Sequence, residues 1–258
     1  MLVPISKTHS ISRVIANFFL AQGFAKPKFV FDKIILDNKL HHYHKKGLTS
    51  SKIINFENDS LNISNESNNG FMFEEFEKSG KTINLLKVEN TNTSRALISI
   101  ENRKYINWTD FKNRFIEDTT ILSETFDMFV EAVSLTYVDE FIWNSEKEID
   151  VKSIFNEESD LINKKFLNSY NGTIVLLSQS NTDNKSNIPE EKTEIIFNNQ
   201  LRRIIVNHTY ALKLNEVCVF SKNNSQVFKD YFDEAHKINK DILIELFSEN
   251  VKESINLK

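Results

Sequence analysis

The sequence predicts an α+β fold, a largely antiparallel sheet with packed helices, and three stretches carry that reading. Residues 127–143, DMFVEAVSLTYVDEFIW, hold no proline or glycine and are dense in β-branched and aromatic side chains, the composition of a central strand. Residues 71–78 and 81–88 flank Ser79-Gly80, which reads as a β-hairpin. Residues 225–247 set Phe228, Phe232, Ala235, Ile238, Ile242, Leu243 and Leu246 at helical spacing, with Val227 and Tyr231 widening the stripe, so this helix should lie across a sheet.

Taken in order, residues 12–20 alternate with Val14, Ala16, Phe18 and Leu20 on one parity and read as a strand. After Pro27, residues 29–40 place Val30, Ile34 and Ile35 at helical spacing and read as a helix, with an extended segment as the alternative. A polar run, 57–69, precedes the hairpin. In residues 94–100, Ala96, Ile98 and Ile100 alternate with Arg95 and Ser99, a third strand that completes a meander with one face toward water. Asn107 or Thr109 can cap the next helix, whose Trp108, Phe111, Phe115 and Ile116 share a side and whose Asp110 suits the first turn. In 127–143 one parity presents Phe129, Val133, Leu135, Tyr137, Phe141 and Trp143, and the other Met128, Val130, Ala132, Val138 and Ile142, so both faces are expected to be covered. A short helix follows at 160–167, then strands at 173–180, 194–206 and 208–214.

The plan strand, helix, meander, helix thus occurs twice, which predicts one domain over residues 1–258 made of two pseudo-symmetric halves, about 11–126 and 127–258. Two echoes agree with a duplication. Phe111-Lys112-x-x-Phe115-x-Glu117 recurs as Phe228-Lys229-x-x-Phe232-x-Glu234, an offset of 117 (228 minus 111). Setting Ala16 on Ala132 also brings Val14 onto Val130 and Phe19 onto Leu135.

Bulk properties narrow the function classes. At 40% hydrophobic and 26% charged, the 258 residues are ordinary for a globular protein. Cys218 is the one cysteine, so no intramolecular disulfide and no all-cysteine zinc site can form, and a cytoplasmic location is expected. The N-terminus lacks the pattern of a signal peptide and no apolar run is long enough to span a bilayer, so no membrane association is expected. A net charge of -4 gives no long-range attraction for a polyanion, which disfavours nucleic acid as a partner. Arg202 and Arg203 are adjacent on an expected strand, so they should point to opposite faces and form no joint phosphate clamp.

Catalytic and metal patterns are scarce. On a helix His41 and His44 would share a face as two metal ligands might, but no carboxylate or cysteine is spaced to complete a site and Lys45 and Lys46 would repel a cation. The cluster His41, His42 and His44 therefore reads as a solvated basic patch. Cys218, between Val217 and Val219, reads as a buried small hydrophobe. The chain has no phosphate loop, no G-x-G-x-x-G, no G-x-S-x-G and no H-E-x-x-H, and with 5 glycines it offers few backbone cradles for phosphate. No cofactor and no metal are expected, and His236 falls within a last helix already rich in Lys, Asp and Glu.

Residues 12–20, the segment Tyr105-Ile106-Asn107-Trp108-Thr109-Asp110-Phe111, the strand from Val133 to Phe141 and the tail from His236 to Ile255 together resemble a sporadically distributed bacterial family of conserved hypothetical proteins known by a model number. The family's Arg-Tyr-Ile-Asn-like signature stands here as Thr136-Tyr137-Val138-Asp139, without the arginine. The resemblance implies a stand-alone cytoplasmic protein of mobile or defence-related gene sets and supplies no catalytic residues.

Two functions from different classes follow. The first is a non-enzymatic binding or adaptor protein that offers a sheet face or an unpaired sheet edge to another protein or to a second copy of itself. The alternative is an enzyme or effector acting on nucleic acid or nucleotide, with a site assembled from Arg95, Tyr137, Asp139 and His208.

Overall fold

The computed structural model describes residues 2–6, 9–57, 60–92, 94–179, 187–255 and 257, with backbone alone for 51–57 and 60–67. In chain order the elements are β1 (Leu2–Pro4), β2 (Ile11–Leu20), α1 (Pro27–Asp37), β3 (Lys45–Glu57), β4 (Ser60–Phe76), β5 (Thr82–Asn90), β6 (Ala96–Asn102) and α2 (Trp108–Ser123). They continue with β7 (Met128–Trp143), α3 (Val151–Ile154), α4 (Lys164–Leu167), β8 (Gly172–Gln179), β9 (Ile188–Asn198), β10 (Arg203–Phe220), α5 (Ser225–Leu246) and α6 (Glu249–Ser254). The expected mixture of helices with a large antiparallel sheet is present. Its strand order is β3-β4-β5-β6-β2-β7-β10-β9-β8, with β1 paired to β7.

The chain forms two compact units, one of residues 1–15, 134–213 and 230–258, the other of residues 16–133 and 214–229. We call them the terminal and the inner unit. Their limits fall inside β2, β7, β10 and α5, each of which runs from one unit into the other.

In the inner unit, alternation decides which strand face is covered. Phe71, Phe73, Leu86, Val88, Ile98 and Ile100 are buried, and the antiparallel register sets Phe71 opposite Val88 and Val88 opposite Ile98, one continuous row. The hairpin turns at Gly80, whose φ of 83° is a conformation that a side chain disfavours. Helix α2 starts where its sequence says it should: the Asn107 side chain accepts from the Asp110 N–H, satisfying one of the orphan donors of the first turn. Its Phe115 packs on Phe18, which also meets Phe220 and Phe228 with ring centroids 5.4 and 5.9 Å away. The polar run at 57–69 contributes to strands: β3 pairs with β4 from Lys45↔Glu74 to Glu57↔Ser60, because backbone pairing needs no apolar side chains. Residues 58 and 59 lie outside the described residues.

In the terminal unit, Phe141, Phe155, Phe166, Phe197 and Phe247 gather at the core beneath the C-terminal part of α5 and short α3 and α4. Gly172 opens β8 because a Cβ there would stand 2.6 Å from the Phe197 ring and 2.9 Å from the Phe166 ring. The two strands expected at 194–206 and 208–214 are divided differently. The turn lies at residues 199–202, with Arg202 at φ 51° and the Leu201 N–H bonded to the Asn198 side chain. A change of buried parity marks it, from Ile195 and Phe197 to Ile204 and Val206. Arg202 is therefore in a turn rather than beside Arg203 on a strand.

Strand β7 is interior in the strand order, as its composition suggests, but its two faces are not equally covered. Met128 and Val130 are buried, then across Glu131 and Ala132 the buried row moves to the other parity, Val133, Leu135, Tyr137, Asp139 and Phe141, while Ser134 and Val138 stay buried on the first, so both faces are covered in mid-strand. Phe129, Thr136, Glu140 and Ile142 are half-buried. In α5, Phe228, Phe232, Ala235, Leu243 and Leu246 are buried as the stripe requires, whereas Val227 is 43% exposed.

Candidate functional site

The switch of parity on β7 turns Tyr137 and Asp139 inward, and the terminal unit assembles a buried polar seam around them. Ile5 N–H donates to the Glu140 carbonyl at 2.9 Å and Glu140 N–H donates to the Ser10 carbonyl at 2.8 Å, so both residues bond to the same backbone position of β7. The Ser10 hydroxyl then donates to Asp139 Oδ1 at 2.5 Å. Two residues along β7, the Tyr137 hydroxyl meets His236 Nδ1 of α5 at 2.7 Å. Three residues further along α5, the Asn239 amide lies 3.5 Å from Nδ1 of His208 on β10.

Burial governs the charges here. Asp139 is fully buried and its Oδ2 has no hydrogen-bond partner among the described residues. Desolvation raises its pKa to about 7, although the Ser10 hydroxyl favours the anion. His208 is equally enclosed, its Nε2 likewise without a hydrogen bond, and burial lowers its pKa to about 4. At neutral pH the imidazole is uncharged, so its 3.7 Å approach to Glu191 Oε2 is not an ion pair. Glu191 is itself raised by burial and by the nearby Glu245 carboxylate, and Tyr210 is pushed up to about 12 by burial and then by Glu234. A neutral imidazole and a carboxyl titrating near neutrality are groups that acid–base chemistry uses. Both are at 0% exposure, so in this conformation these two groups are closed off from solvent, whereas Ser10 and His236 of the seam are half-buried.

Of the four residues singled out in the sequence, Tyr137, Asp139 and His208 therefore belong to one unit and one buried face. Arg95 belongs to the inner unit, where its Nε pairs with Glu131 Oε1 at 2.9 Å on the surface. Ser10, His236 and Asn239 escaped sequence reasoning. A signal for the last two was present: both stand at the inward spacing of the α5 stripe, between Phe232 and Leu243, where a polar residue is out of place unless it has a buried partner.

The inner unit holds a second buried polar group, and it absorbs part of the histidine cluster. Helix α1 ends at Asp37, so His41, His42 and His44 share no helix face. Asp118 of α2, fully buried, accepts from the Tyr43 hydroxyl at 2.7 Å and lies 3.2 Å from His42 Nε2 and 3.3 Å from Arg114 Nε. Arg114 also bonds Glu75 at 2.8 Å and lies over the Tyr43 ring. Burial, and then the Asp118 charge, hold the Tyr43 hydroxyl well above its ordinary range, so it remains a donor. His44 Nδ1 accepts from the Phe76 N–H at 3.0 Å. The solvated patch read from the sequence is thus partly tied down, because its carboxylate partner comes from far along the chain. Among the described residues no three His, Cys, Asp or Glu side chains group as metal ligands. Cys218 is half-buried, not a core residue, since its neighbours Val217 and Val219 are 51% and 44% exposed.

The accessible features lie at the rim of each unit. Strand β8 ends the strand order, and its Val175 and Leu177 are 50% and 76% exposed. Register places Leu177 opposite Lys192 and Lys192 opposite Thr209, whose hydroxyl meets that of Thr136 at 2.8 Å. Beside this row, Gln179, Glu190 and Ala211 help to line a hollow of about 420 Å³. In the inner unit a hollow of about 390 Å³ lies between the loop after β2 and the loop before β7. No helix among the described residues is long and apolar enough to cross a membrane. Comparison with protein-family models, with curated proteins and with solved structures finds no match, so the reading of function rests on these surfaces and on the buried seam.

Proposed function

We propose that this chain is a non-enzymatic binding or adaptor protein and that β8 is its docking edge, taking an extended strand from another protein or from a second copy. The observation that carries the reading is that β8 is an undefended edge. Exposed edge strands are normally blunted by charge, proline, a bulge or shortness, because a free row of N–H and C=O groups templates further pairing. The eight residues GTIVLLSQ contain no charge and no proline, and the pairing with β9 runs without a register shift. A strand laid alongside would gain main-chain hydrogen bonds and cover Val175 and Leu177. The enclosure of Tyr137, Asp139 and His208 favours this reading over their use in catalysis.

The two-half plan belongs to the same proposal. From the neighbours β2 and β7 the strand order runs outward as β6, β5, β4 on one side and β10, β9, β8 on the other, which supports halves of common design; among the described residues β3 has no counterpart. The family resemblance is retained alongside, and it too brings no catalytic residue.

The test is the double variant Val175→Lys, Leu177→Lys. Both positions are exposed, so circular dichroism should be unchanged. Affinity purification from the native host and light scattering at several concentrations should show a stoichiometric partner, or a dimer, with the wild type and neither with the variant. Retention of the same partner and mass by the variant, or absence of both from the wild type, would refute the docking edge.

A further inference from the structure

The inner unit carries a second accessible feature that the β8 reading does not use, an aromatic hollow built from Phe24, Phe29, Phe126 and Phe129 with Lys26 and Asp127 at its rim. Its walls are set in advance. The Phe24 N–H donates to Asn90 Oδ1 at 2.8 Å and the Asn90 amide donates back to the Phe24 carbonyl at 2.9 Å, so one side chain clamps the loop backbone from both sides. Gly23 N–H is held by the Ser94 carbonyl, and Ala21 N–H by the Phe129 carbonyl. Phe24 and Phe126 meet edge to face at 4.8 Å, while Phe29, on the first turn of α1, stays 68% exposed. A large aromatic ring left in water beside a rigid hollow of about 390 Å³ is a feature that binding surfaces use.

Charge narrows the occupant. Lys28 is committed to Asp32 at 2.6 Å, but neither Lys26 nor Asp127 has an ion partner among the described residues. Lys26 lines both this hollow and an adjoining one of about 440 Å³ that it shares with Phe29 and Asn68, whereas Asp127 lines only the first. The junction of the two hollows is therefore the cationic position. Asp127 is left to accept an amide N–H and to repel a run of phosphates, while Asp32 at the second hollow is paired with Lys28.

We propose that this groove binds a peptide segment of a partner protein that presents an aromatic side chain next to a carboxylate, with the ring among the four phenylalanines and the carboxylate on Lys26. A strand-docking edge in one unit and a side-chain pocket in the other would give an adaptor two distinct contacts, but the pocket stands whether or not β8 pairs with anything.

The probes are N-acetyl-L-phenylalanine and N-acetyl-L-phenylalaninamide, which differ only in the carboxylate, titrated into the whole protein and followed by amide chemical shifts. Saturable shifts are expected at Phe24, Lys26 and Asp127, with the acid binding roughly two- to fivefold tighter than the amide, the range of an exposed ion pair. Lys26→Gln should bring that ratio to about one without changing the amide's affinity, and Phe29→Ala should weaken both probes. Both substitutions are at exposed positions, so the fold survives them. Absence of saturable shifts at these residues, equal binding of acid and amide by the wild type, or tighter binding of a thymidine oligonucleotide than of either probe would overturn the proposal.

Discussion

Replacing Asp139 by asparagine should change how stability depends on pH, by an amount that follows from its enclosure. The carboxyl titrates near 7 in the folded chain against 3.8 in the unfolded one. Between those values the folded state holds the extra proton, so stability is greatest below about pH 4 and falls as pH rises toward 7. At 1.36 kcal/mol per pH unit, the full loss is about 4 kcal/mol, reached once Asp139 is ionised in both states. Asparagine keeps the size and removes the ionisation, at a constant cost of about 1–3 kcal/mol for an amide whose donors lack acceptors. Because that cost does not vary with pH, the difference between variant and wild type should shift by about 4 kcal/mol in favour of the variant between pH 4 and pH 8.

His208 imposes the opposite slope. Its pKa of about 4, against 6.5 unfolded, means that stability present above pH 6.5 is lost as pH falls toward 4, about 3 kcal/mol in all. From pH 4 to 6.5 the two groups nearly cancel, so the wild type should be flatter than either Asp139→Asn or His208→Asn. Urea unfolding followed by far-ultraviolet circular dichroism at pH 4, 5, 6, 7 and 8 measures all three proteins. A difference between wild type and Asp139→Asn that stays constant to within ~1 kcal/mol across this range would refute the argument, because it would mean that Asp139 is not desolvated.

Other substitutions test the packing. Leu135→Asp buries an unpaired carboxylate at a position 1% exposed and should abolish cooperative unfolding at pH 7, seen as loss of the thermal transition. Gly172→Ala sets a methyl against the Phe197 and Phe166 rings and should cost about 1–3 kcal/mol in urea unfolding. Tyr43→Phe removes the 2.7 Å bond to the buried Asp118 carboxylate and should cost about 1–3 kcal/mol, a loss that conservative repacking of the same ring would not produce.

Local pattern alone determined much of this protein. The alternation of residues 12–20 names the buried side of β2, Asn107 and Asp110 announce the start of α2, Gly80 marks the hairpin turn, and the stripe of α5 is legible from its spacing, because each depends on contacts within a few residues or on a single buried face. The tertiary structure alone decided the rest. Which parity of β7 is buried changes in mid-strand, and both parities are apolar, so composition could not show it. The seam joins Ser10 to Asp139 across 129 residues and Tyr137 to His236 across 99, and His42 finds Asp118 from another element. A polar side chain carries no mark of its partner until the fold supplies one, which is why Asp139 and His208 could be singled out and Asn239 stood out of place in its stripe, but nothing joined Ser10 to any of them.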